Sequence, residues 1–585
     1  MASIVMAILK ATVGKLLNKG RRMVADRLKE GDVTDERFRI LVVNEIDEIK
    51  SKLDGIARAP LLASISFFKE GILYLYNVLD LKDRDKNANE TTYEAERTDK
   101  ENRKVNLGPS AARVEHVSLS KELKSLRLTN YNDPATRALS DAKSRFKDAR
   151  RKATEAFSNE ALSTSDRLLS MQFRVMSTLL EKIDVPEDAI LACRLCLEEL
   201  HAIPAIQESF KVQLKKSFKS RFNKSERKEI ITSVCRLNRA IFDVAQIVRE
   251  DTNLFLWPCI DTGEGKVDLL LDYRVVEEQC QLDIEPFCIK PLALSHDAEQ
   301  EIHKRRSWWI MTTNTRGEIF ILDRAGDKHS CKQMYRIHVF SSNGEFQRSS
   351  PLPIHFSLFE FMVLAMATNE EDKIYVLGNY TFPGEMFNTK FVFVFDKNIT
   401  LHHGYELSDM QSCYPRRFLV SDNNKLFLST KNSDIRVFNT NGYLEQRFGA
   451  GFLESPTDMA YIKTGKLLVL DGNHVHIFSE EGVHQVQFKL AVSLPFKPEF
   501  LVFHHLNNQV LVFCRNMGYC GRLRSTPEYT EILLSLYTIS GVFVRDIHLR
   551  IKGEFLFTAA KTVTKKGRVI VCVNDSFGRP SVLVL

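Results

Sequence analysis

The spacing of apolar residues changes once along this chain. Up to about residue 250 they recur every three or four positions; beyond about residue 306 they alternate with polar residues or run in short apolar groups. The first spacing predicts helices and the second predicts short strands. Ile4, Val5, Ile8, Leu9, Val13, Leu16 and Leu17 share one stripe of a helix over 3–30, while Lys10, Lys15, Lys19, Arg21 and Arg22 crowd its other side. Thr34 is placed to cap a second helix carrying Phe38, Leu41, Val42, Ile46, Ile49 and Leu53. Gly55 and Pro60 separate it from a third, over Leu61 to Leu79. Residues 81–110 hold almost no large apolar side chain and are expected to be loop or disordered. Helical spacing resumes near Pro134 and continues to about Glu250, with breaks at Pro186 and Pro204. The expected organisation is a helical segment over 1–80, a polar linker over 81–131 and a helical bundle over 132–250. A linker with one strand follows over 251–305, and then a repeat domain over 306–585.

The repeat is visible as text. Ile310 to Asp323 gives an apolar run, a polar turn and Gly-Glu-Ile-Phe-Ile-Leu-Asp; Arg336 to Phe346 then gives Arg-Ile-His-Val-Phe and a glycine turn. The pattern returns over Arg417–Leu428 with Ile435–Leu444, and over Ser455–Asp471 with Val475–Gly482. A unit of three or four short strands with a period of roughly 40 residues is the size of a propeller blade. Degenerate copies occupy 359–406, 497–549 and 555–585, which brings the expectation to six blades. The last copy stops after its third strand. A strand from about 265–300 is expected to close the ring, because an open sheet edge invites mispairing.

These strands resemble the NHL-repeat family of β-propellers. The resemblance rests on the glycine turn before the second strand (Gly317, Gly465), the aspartate that ends it (Asp323, Asp471), and the Ile-x-Val-Phe third strand with its glycine turn (Ile337 to Gly344, Ile435 to Gly442). It covers about half the chain. The fold class it implies is multidomain α plus all-β: an N-terminal α-helical bundle followed by a six-bladed NHL-like β-propeller. Members of that family bind proteins or single-stranded RNA, and a few related propellers cleave small substrates. Many animal members carry a RING finger, B-box and coiled coil ahead of the propeller; the zinc-spaced Cys and His pairs of that arrangement are absent from this sequence, which removes the case for ubiquitin-ligase chemistry.

Charge divides the halves. Residues 1–250 carry 46 basic against 37 acidic side chains, and the remainder 36 against 38. The propeller half therefore lacks the overall basic footprint of an RNA binder, although Arg336, Arg416, Arg417, Arg436, Arg447 and Arg515 lie near strand ends and loops and are the candidate partner-binding residues. Eleven scattered cysteines, an odd number, do not form a disulfide framework and suit a reducing, cytoplasmic location. The apolar start lacks the basic leader and cleavage site of a signal peptide.

The basic first helix supports two readings. Packing its stripe on the following helices is favoured; the alternative is contact with a membrane surface through Ile4, Ile8, Lys10, Lys15 and Lys19. In pattern, this region distantly resembles the N-terminal helical bundles of membrane-disrupting cell-death effectors. The run from Lys211 to Lys228, interleaved with Phe210, Phe218 and Phe222, fits a helix that buries its phenylalanines better than a nucleic-acid surface. Cys193 and Cys196 lie in an apolar helix and are expected to be buried rather than to bind zinc. Asp323, Asp471 and Asp575 are expected to hold their own blades. Phosphate-binding, dinucleotide, HExxH and GxSxG motifs are all absent. The expectation is a non-enzymatic interaction protein with no cofactor and no metal site: the propeller binds a protein partner, and the helical region oligomerises or signals. RNA binding through the propeller and an innate-immune or cell-death effector role are the alternatives.

Overall fold

The computed structural model describes residues 35–53, 55–94, 134–215, 224–249, 252–275, 290–291, 310–326, 332–342, 344–352, 356–357, 361–381, 388–410, 415–517, 529–552, 555–575 and 580–585. The chain forms two compact units, one mainly helical and one containing the propeller.

In the helical unit the described helices are α1 (Asp35–Ser51), α2 (Ala59–Glu94), α3 (Pro134–Ser158), α4 (Thr164–Glu181), α5 (Pro186–His201), α6 (Pro204–Lys215) and α7 (Lys224–Val248). Pro186 and Pro204 each stand at the first position of a helix, where the missing N–H has no partner to lose. Ser163 caps α4 by accepting from Asp166 N. The Asp166 carboxylate, in turn, accepts from Arg58. α2 differs from expectation, because it continues through Glu94 into the segment read as loop. The segment is polar, but no glycine or proline stands between Gly71 and Glu94 to end the helix.

The pair α2–α3 is the tightest part of this unit, and small residues explain why. Ser64 donates to Ala149 O at 2.8 Å, and Ala142, Ala149 and Ala153 are fully buried. A Cβ on Gly71 would come within 2.7 Å of the Phe146 ring. With only hydrogen there, Phe146 packs on Phe68 at 5.6 Å between centroids, and Phe68 meets Phe173 edge-on at 5.4 Å.

The second unit is a six-bladed β-propeller. Each blade is an antiparallel sheet whose strands follow one another outward in chain order. The inner strands are Ile310–Thr313, Phe361–Thr368, Pro415–Val420, Pro456–Ile462, Phe496–His504 and Phe555–Val563, and each packs beside the next to close the ring. The sixth blade takes its outer strand from Lys290–Pro291, which pairs with Ser581 and Val582. This is the ring closure by a strand from 265–300 that the truncated last repeat calls for.

The turn chemistry that makes the repeat readable is the chemistry that forms the blades. Asn314 Oδ1 accepts from Arg316 N and Glu318 N, and Asn369 Oδ1 accepts from Glu371 N and Lys373 N, tightening each first hairpin. In the outer hairpin, Gly442 sits at φ 83°, and a Cβ there would meet Glu406 O of the preceding blade at 2.1 Å. Between blades the core is apolar. Met366 packs with Ile337 and Val339 of the first blade, and Leu501 packs with Leu468 and Ile477 of the fourth.

Candidate functional site

All six inner strands run in the same direction around a central channel. The upper face is the one where first and third strands begin and where second and fourth strands end. A cavity of about 290 Å³ opens in this channel, lined by residues of every blade.

One position on the inner strand faces the preceding blade. It is occupied by Met311, Met366, Phe418, Met459 and Leu501 in the first five blades, each packed in the apolar contact with its neighbour. In the sixth blade Lys561 stands there, within 5.8 Å of the Phe500 ring centroid and lining the cavity. Its Nζ contacts Asp458 Oδ2. Asp458 is almost fully buried; it also accepts from Leu501 N at 2.8 Å and lies 3.4 Å from Arg417 Nε. Arg417 Nε donates to Thr457 O at 2.9 Å. Three ionisable groups from the third, fourth and sixth blades therefore meet in the channel.

Electrostatics follow from this crowding. Burial pushes the Lys561 ammonium well below its ordinary range, and Arg417 adds to the effect. Burial also lowers Arg417, which the neighbouring Glu499 partly offsets. Glu499 is raised by burial against the pull of Arg515, whose Nε lies 2.8 Å from its carboxylate.

The lower mouth is organised differently. Its groups bond across blades: Thr315 Oγ1 donates to Asp372 at 3.0 Å, Arg316 pairs with Asp372, Lys463 pairs with Glu370 at 2.8 Å, and Asn369 Nδ2 donates to Asn424 Oδ1. Asp422 is raised by burial and by Glu370. The Thr315, Arg316 and Asn369 bonds tie neighbouring hairpins together, and Lys463–Glu370 reaches from the fourth blade to the second.

The six arginines singled out from the sequence all lie toward the upper face. Arg336 pairs in register with Pro351, at the end of an outer strand; Arg436 pairs with Arg447. They do not form one patch. Arg417 and Arg515 converge through Glu499 at the channel. Arg436 is buried, paired with Asp434 and donating to Asp409 O, while Arg447 pairs with the Asp409 carboxylate. Arg416 is exposed and donates to Ser455 Oγ at 2.8 Å, and Arg336 is exposed on its strand. Asp458 and Lys561 are missing from the sequence-derived set. The available signal was Lys561, at the place the other five blades fill with Met, Phe or Leu; the place of Asp458 holds Arg417 in the neighbouring third blade.

The other motifs resolve into packing. Cys193, Cys196 and Cys235 are buried, and burial raises the first two thiols, as expected of small core residues. Phe210 is fully buried; Phe218 and Phe222 lie outside the described residues. The Asp471 carboxylate accepts from Glu454 N and Ser455 N and so holds its own blade. Among the described residues, no group of three or more His, Cys, Asp and Glu side chains is placed to hold a metal ion, and no helix is long and apolar enough to cross a membrane. Ile4, Ile8, Lys10, Lys15 and Lys19 lie outside the described residues.

No protein-family model and no curated protein matches the sequence. Among solved structures, a protein of unknown function from Bacteroides caccae is similar at 12% identity, over 41% of this chain and 82% of that one, with a TM-score of 0.29. That score is too low to support an argument about function.

Proposed function

We propose that this propeller is of the NHL type and is a non-enzymatic capture module. Its upper face seats a protein partner, and the helical unit serves oligomerisation or signalling. The observation that favours a protein over RNA is the pairing of the arginines. Arg417, Arg436, Arg447 and Arg515 each have an acidic partner, and Arg436 is buried, so these four do not present a bare cationic face. A surface of this kind does not release many counterions from a nucleic acid, whereas protein interfaces accommodate a mixed polar rim.

The test is crosslinking of the full chain in cells, scored for protein and for RNA, with Arg336→Glu and Arg416→Glu on the upper face and Lys463→Glu on the lower. The reading expects a stoichiometric protein partner that is lost with the upper-face variants and kept with Lys463→Glu. Abundant RNA, released steeply by salt and lost with the same upper-face variants, would replace this reading with that of a post-transcriptional regulator.

A further inference from the structure

We propose that the Arg417–Asp458–Lys561 cluster in the channel is a binding site for a single small carboxylate. The sharing of partners motivates it: Glu499 is paired with Arg515, while the single Asp458 carboxylate faces both Lys561 and Arg417.

The donors are also available. Apart from its contact with Asp458, the Lys561 ammonium makes no well-formed hydrogen bond with a described residue. Arg417 uses Nε on Thr457 O, and its terminal nitrogens make no hydrogen bond with a described residue. A guanidinium edge and an ammonium beside a cavity are the donor set that a carboxylate takes. The volume, about 290 Å³, lies at the small end of ligand sites, which run from roughly 300 to 1,000 Å³.

Asp458 limits affinity here, because it competes for the same two cations. Its acceptor role toward Leu501 N is one that asparagine can keep. The shared chemistry is a carboxylate, supplied either by a free small acid or by an acidic side chain inserted from a partner, and the experiment separates the two.

The experiment is calorimetric titration of the full-length protein, at fixed ionic strength against chloride. Sodium acetate stands for a free acid, and the N-acetylated tripeptide amide Gly-Glu-Gly for an inserted side chain. Saturable binding of acetate assigns a free acid, and binding of the tripeptide but not acetate assigns an inserted one. In both cases Lys561→Met is expected to weaken binding at least about tenfold, and Asp458→Asn to strengthen it about tenfold. Lys561→Met restores the residue type already present in the first, second and fourth blades, so it is expected to fold. The proposal is overturned if neither probe saturates, if Lys561→Met binds like the native protein, or if folded Asp458→Asn binds more weakly.

Discussion

Two sites, one in the helical unit and one in the propeller, treat their ionisable groups in opposite ways. In the helical unit His201 is buried, beside Asn238 Nδ2 at 2.9 Å, and burial lowers its pKa to about 4. Cys193 and Cys196 are held as thiols. Those groups stay neutral and behave as packing. In the propeller, Arg417, Asp458 and Lys561 converge as potential charges on a cavity that solvent reaches. The contrast separates two meanings of a polar residue in a core. A neutralised group with apolar neighbours fills space, whereas opposed charges facing an open channel are arranged to meet something.

The comparison is tested most severely by Asp458→Ala. Removing the carboxylate leaves Lys561 and Arg417 facing each other and Leu501 N without its acceptor. A loss of about 3–5 kcal/mol is expected in the propeller's chemical unfolding. A loss under about 1 kcal/mol would place these charges in water and end the contrast.

The helical side predicts a pH effect with a defined sign. The folded-state pKa of His201 is depressed, so the unfolded chain takes up the proton first as pH falls. The stability that neutral His201 contributes is complete above about pH 6.5 and is lost as pH drops to about 4, roughly 3 kcal/mol in all. Urea unfolding of this unit between pH 7 and pH 4, compared with His201→Gln, should show that slope in the native protein and a flatter one in the variant.

A smaller effect tests whether the helical core is packed as closely as described. Gly71→Val would press a side chain into the Phe146 ring and should cost about 2 kcal/mol in the same assay. Smallest of all is Lys561→Met. If Lys561 serves a ligand rather than the fold, its replacement by the residue found at the same place in three other blades should change stability by no more than about 1 kcal/mol.

Much of the fold was legible, because strands and turns write themselves locally. Alternating Ile, Val and Phe with glycine at positive φ (Gly317, Gly442, Gly465) marked the blades. The missing fourth strand of the last repeat pointed to its donor upstream. The helix through Glu94 was misread because a charged, proline-free stretch has the same composition whether it is helix or coil. The site was half legible. Arg417 stood out as an arginine at a strand end. Asp458 and Lys561 did not, because their contact spans two blades and depends on ring closure. Only alignment of the inner strands shows Lys561 in a place that five other blades fill with Met, Phe or Leu.

The most direct test of the central claim, that Asp458 and Lys561 act as one unit across the channel, is a double-mutant cycle of Asp458→Asn with Lys561→Met. It would be read from hydrogen exchange of the inner strands Pro456–Ile462 and Phe555–Val563 under increasing denaturant. The account predicts that the two changes are non-additive, with Lys561→Met recovering about 2 kcal/mol of the loss caused by Asp458→Asn. Additivity within about 0.5 kcal/mol would show that the two charges do not interact and would contradict it.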